Sequence, residues 1–214
     1  MARAVAPIYT FLVVDLLLLL ACLPALIPLV ALDRDASNAP LAVACALPVG
    51  PALSAALYAL RRRGRDLTEL HPAAAFRRGY RMNLGGVLRV WVPWLAGMAL
   101  IAENLSHARA AAIPAGWRAA LVAVAVVATL WMINALMITS LFAFRTVDVA
   151  RLAAYFLGRT RRVTVGNLGV LIAAGVLVEV SSEAVLGLFA VLFAAVLLHV
   201  CTPMTDQVER DFTA

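Results

Sequence analysis

Two side chains in this 214-residue sequence carry charge where charge is expensive. Asp15 stands in "LVVDLLLL" and Arg89 in "GVLRVWV", with apolar residues on both sides. An ionisable group deep in an apolar helix costs roughly 2.5–3.5 kcal/mol on insertion scales, so each needs a partner or a purpose. If their helices start from the same face, both lie about two turns in, about 10 Å at a rise of about 1.5 Å per residue. An intramembrane ion pair between Asp15 and Arg89 is therefore expected, as a structural pair first and a gating or transport pair second.

A second unusual feature is "LPVGPAL". Pro48 removes the donor that the carbonyl of Ala44 would use, and Pro51 does the same to Leu47. With Gly50 between them, the backbone is expected to unwind inside an apolar run. The freed groups have two readings: a kink satisfied by a neighbouring span through Asn134 or Thr139, or the lining of a ligand site. Pro48, Gly50, Pro51 and Asn134 are thus candidate break or ligand-lining residues. Other chemistry is sparse. No HExxH, nucleophile elbow or P-loop occurs, and Cys22, Cys45 and Cys201 sit in apolar runs with no metal or disulfide spacing. No catalytic site, metal or cofactor is expected.

The elements that carry these residues follow from composition. The chain is 64% hydrophobic and 14% charged, against about 45–50% and about 25% in soluble domains, so an integral membrane protein is expected. At about 20 apolar residues per span, six fit: roughly 8–32, 39–60, 82–103, 117–144, 166–180 and 184–203. The first run exceeds a secretory signal and contains Asp15, so it reads as a retained span. The fifth is short, and with the sixth it forms a tight hairpin or a re-entrant pair around "SSE". The expected class is all-α: one polytopic bundle with two short amphipathic helices.

All 18 basic residues are arginine. They cluster after the second span (Arg61, Arg62, Arg63, Arg65, Arg77, Arg78, Arg81) and after the fourth (Arg145, Arg151, Arg159, Arg161, Arg162). The positive-inside rule puts both loops, and both termini, in the cytoplasm of an inner (plasma) membrane protein. Asp33, Asp35, Glu103, Glu179 and Glu183 then form an outer acidic rim. Split between two juxtamembrane loops, the basic charge suits anionic lipid headgroups rather than nucleic acid. Each loop also carries an amphipathic helix, in "ELHPAAAFRRGYRMN" and "TVDVARLAAYFLGRTRR". Phe76, Arg77, Tyr80, Arg81, Arg151 and Phe156 are candidate docking residues there. "NLGGVL" at Asn83 and "NLGVL" at Asn167 follow, with asparagine as N-cap and glycines for close helix approach, hinting at a parallel repeat of two-span units.

Across residues 41–90 the chain resembles the YesL-like bacterial membrane proteins, a family of unknown function. The resemblance rests on Leu47-Pro48, Gly50-Pro51-Ala52, Ala56-Leu57-Tyr58, the run Arg61 to Arg65, and Phe76, Gly79 and Asn83. Ala73 to Ala75 depart from a bulkier run usual in that family. The resemblance implies an accessory component of carbohydrate uptake, beside ABC importer permease or ATPase subunits. The alternative is a small transporter or permease-like subunit with its own ligand.

Overall fold

A computed structural model describes residues 2–31, 43–65, 71–107, 114–181 and 183–212. Among them the chain is all-α: α1 (Ala2–Ala31), α2 (Val49–Arg65), α3 (Pro72–His107), α4 (Ala115–Leu141), α5 (Thr146–Arg159), α6 (Arg161–Val180), α7 (Glu183–Leu188) and α8 (Ala190–Phe212). Six helical stretches are long and apolar enough to cross a membrane: Ile8–Ala25, Val43–Arg62, Pro72–His107, Ala115–Leu141, Arg161–Val180 and Ala190–Phe212. This is a multi-pass membrane bundle. Asp33, Asp35 and Arg109 lie outside the described residues.

The surface agrees with that class. On α1, Ile8, Leu12, Leu16, Leu20, Leu23 and Ile27 recur every three or four residues and are all exposed. Val14, Leu18, Cys22 and Ala25 on the opposite side are buried. Val122, Val124 and Val127 of α4 and Ile172, Val176 and Val180 of α6 continue the exposed apolar belt. A surface like this favours association in water, whereas hydrocarbon solvates it.

At the centre stands α2, packed on α1, α3, α4 and α8. Its core contacts come from small residues: Ala52, Ala55, Ala56 and Ala59 are almost wholly buried. Small side chains let helix backbones approach, and close packing is the main cohesive term where no hydrophobic effect acts between helices. Gly50 shows the limit. A Cβ there would come within 2.5 Å of the Trp91 ring on α3. Gly79 of α3 meets the Tyr58 side chain of α2 in the same way, at 2.8 Å. At its far end α2 is tied to α8, where the Arg61 guanidinium donates to Thr205 Oγ1 at 2.9 Å and to Glu209 Oε2 at 3.2 Å.

Three expected boundaries change. The amphipathic segment after α2 is not a separate helix: Pro72 to His107 run as one helix, because nothing between Met82 and Val87 breaks it. The fifth span is longer than its apolar core, since Arg161 and Arg162 begin α6. The sixth is divided into α7 and α8 at Phe189.

Gly50→Ala is expected to lower stability by about 1–3 kcal/mol through overpacking against Trp91. Gly85→Ala, with nothing within 4 Å of the added methyl, is expected to be neutral or stabilising. Melting of the two variants in one detergent provides the comparison.

Candidate functional site

Asp15 is buried, and its partner is not Arg89. The α7–α8 break leaves the first amides of α8 without intrahelical acceptors. Phe189 N–H still bonds back to Val185, and the amides of Leu192 and Phe193 close on Phe189. Between them, Val191 N–H donates to Asp15 Oδ1 at 3.2 Å. The carboxylate thus serves an open helix start from another span, where an unpaired donor and the positive end of the helix dipole coincide. Arg89 lies on the exposed side of α3, where its long stem can carry the charge toward a headgroup. The expected Asp15–Arg89 ion pair is not formed, because a helix terminus takes the acid first.

The proline break is also resolved differently. Residues 46–48 form a turn between a helical turn at 43–45 and α2. Ala46 N–H bonds to Val43, Leu47 N–H to the Ala44 carbonyl at 3.2 Å, and Val49 N–H to Ala46. Pro51 falls in the first turn of α2, where a missing N–H removes no helical bond. Trp91 Nε1 completes the arrangement by donating to Ala46 O at 3.0 Å. Neither Asn134 nor Thr139 serves the break. Thr139 bonds to its own helix at Ala135 O, and Asn134 belongs to another cluster. Gly50 is required for contact with Trp91 rather than for bending.

The two asparagines of the repeated motif are not N-caps, since Asn83 lies within α3 and Asn167 within α6. Both tie helices together. Asn83 Nδ2 donates to Ser54 Oγ at 3.1 Å and to Ser140 O at 3.0 Å, and Ser140 Oγ donates to Ser54 Oγ at 2.8 Å. This joins α2, α3 and α4. Asn167 Nδ2 donates to Asn134 Oδ1 at 3.3 Å, Cys201 Sγ donates to Asn167 Oδ1 at 3.5 Å, and Asn134 Nδ2 donates to Ala153 O at 3.4 Å. That joins α4, α5, α6 and α8. Each motif asparagine reaches the span preceding it. The motif glycines are not equivalent: Gly86 approaches Thr139, while Gly85 and Gly169 face open space.

The docking candidates divide. Phe76 and Phe156 are buried, at 6% and 0% exposure, so neither presents a docking ring. Phe156 packs into the bundle with Val149 and Ala153 because these make the apolar face of α5. Arg77, Arg81 and Arg151 are exposed, and Tyr80 is half-buried. Arg77, Tyr80 and Arg81 border a groove of about 600 Å³ whose other wall is Leu17, Leu20 and Ala21 of α1.

One cavity escaped sequence reasoning. It measures about 440 Å³, is partly open, and is bordered by Val49, Leu53 and Leu57 of α2 and by residues of α1, α3, α4, α6, α7 and α8. Pro48, Gly50, Pro51 and Asn134 do not line it. Its wall includes Trp91 and Trp94, Met132 and Leu136, and Ala190 and Ala194. Trp94 Nε1 is buried without an acceptor. The spacing of Val49, Leu53 and Leu57, one face of a helix, was the available signal. No group of three or more His, Cys, Asp or Glu side chains that could hold a metal occurs among the described residues. No family, curated relative or solved structure matches the chain.

Asp15→Ala is expected to cost about 1–3 kcal/mol by orphaning Val191 N–H, while Asp15→Asn keeps an acceptor and recovers most of it. Arg89→Ala should leave the melting temperature unchanged; a loss matching that of Asp15→Ala, with no further loss in the double variant, would restore the ion pair. Asn167→Ala is expected to cost a similar amount, about 1–3 kcal/mol, and to be non-additive with Asn134→Ala, since the two share one bond. A double-mutant cycle on thermal stability measures that coupling.

Proposed function

We propose that this protein is a non-catalytic accessory subunit of a carbohydrate uptake system in a bacterial inner membrane. The arginine-bearing end of the bundle and both termini face the cytoplasm in this reading. The observation that carries it is the groove beside Arg77 and Arg81. There, two exposed cations border a wall of Leu17, Leu20 and Ala21, which suits a permease helix that is apolar along its length and acidic at its cytoplasmic end. The YesL-like resemblance of residues 41–90 supports the sugar-uptake setting. Sugar recognition by the bundle itself is poorly supported, because the cavity wall is almost entirely leucine, methionine, alanine and aromatic carbon. A sugar's hydroxyls would go unpaired there, at a desolvation cost for each.

The apolar cavity favours a second reading, a permease-like subunit with its own ligand, but one restricted to apolar ligands.

A photo-reactive residue introduced at Arg77 or Arg81 is expected to crosslink to a permease or ATPase subunit in intact membranes. Arg77→Glu with Arg81→Glu should abolish both that product and co-purification without lowering the melting temperature. Crosslinks to lipid alone would refute the accessory role and leave the groove as an anionic-lipid site.

A further inference from the structure

We propose that the partly open cavity bordered by α1, α2, α3, α4, α6, α7 and α8 is a binding site for one long hydrocarbon chain. This goes beyond the accessory role and does not depend on it. The cavity lies away from the arginine-bearing end. On α2 it begins at Val49 and ends at Leu57, one turn before Arg61, and on α8 it ends at Leu197, two turns before Thr205.

Its walls decide the occupant. Leu18, Leu53, Met132, Leu136 and Ala194 contribute only carbon and sulfur side chains, and Thr129, also on the wall, already donates to Ala125 O at 2.8 Å. Water needs two to four polar partners to occupy a cavity, so this one stays dry. Vacancy is disfavoured too, because helices in lipid are held by packing and an empty volume is lost packing. Trp94 Nε1, also on the wall, has no acceptor, but one lone donor falls short of what a water needs, and hydrocarbon fills the rest of the wall without asking for a hydrogen bond; the surrounding bilayer supplies it. At about 440 Å³ the space falls within the usual 300–1,000 Å³ range of ligand sites.

The sixth span makes such a site possible to build. Its division at Phe189 sets α7 as a separate short element, and Leu186 and Gly187 of α7 sit on the wall beside Leu18 and Leu19, with Gly187 in contact with Leu19. The Asp15–Val191 bond holds α8 beside α1 at this level, so the cavity has a fixed side as well as a short one.

Trp91, 7% exposed and on the wall, is the reporter. In a variant with Trp94, Trp117 and Trp131 replaced by phenylalanine, Trp91 emission is expected to be quenched in vesicles of dibromostearoyl phosphatidylcholine relative to unbrominated ones. Ala194→Phe or Leu53→Phe, which fill the space from two different helices, should restore the emission. Native mass spectrometry of the unmodified chain gives a second readout that requires no substitution: a retained mass identifies a phospholipid or another chain-bearing lipid. Quenching with a retained phospholipid establishes an acyl chain. A retained mass of another kind without quenching assigns the chain to a different lipid. Unquenched Trp91 with no retained lipid, or quenching equal in both filled variants, overturns the site.

Discussion

The contact between Trp91 and the start of α2 is the joint on which the bundle turns. One indole does three things. Its face lies against Gly50 so closely that a methyl group there has no room. Its Nε1–H gives the Ala46 carbonyl in the proline-bearing turn a second donor beside Val49 N–H. Its edge borders the cavity. Lipid offers no hydrogen bonds, so a break in a span survives only where protein seals it. The seal comes from α3, the helix most extensively packed on α2, and it fixes the register of that pair. Tyr58 against Gly79 and Asn83 against Ser54 then follow at successive turns of the same interface.

Much of this was legible in the sequence, and the boundary between legible and not has a physical origin. Six spans, the arginine-rich end and the amphipathic face of α5 follow from local pattern, because hydropathy and charge act residue by residue. The break at Pro48 was legible as a break. What satisfies it was not, since the partner lies 45 positions away on another helix. Asp15 teaches the same lesson. A buried acid predicts a buried cation by charge alone, but a helix start supplies both a donor and a dipole, and nothing in "SSEAVLGLFAVLF" signals that the sixth span is divided. The cavity was illegible because it is the space left when seven helices meet, and one sequence does not encode a void at any single position.

Two pairs of successive spans, α2–α3 in the first half of the chain and α4–α6 in the second, are joined alike but differ in detail. In each, an asparagine near the arginine-bearing end of the second span bonds to the first span of the pair. The amphipathic segment differs. In the first half it continues directly into α3, and in the second it is cut off at Thr160, where Thr160 Oγ1 bonds back to Phe156 O at 2.7 Å. The first half is therefore rigid across the membrane surface, while the second turns a corner there. Arg77 and Arg81 sit on a continuation of a span, whereas Arg151 rides on a separate helix lying against the bundle.

The bonds made by α8 bear on how the chain is built during synthesis. Asp15 and Arg61 emerge early, on the first two spans, yet their partners Val191, Thr205 and Glu209 lie 144 to 176 residues later. Until α8 leaves the ribosome, an acid inside the bilayer and a guanidinium at its edge both lack the groups that hold them in the finished bundle. A nascent chain stopped before α8 is thus marked as incomplete by two polar groups without those partners. The arrival of α8 closes both ends of the assembly at once, so that this helix certifies the spans that carry Asp15 and Arg61.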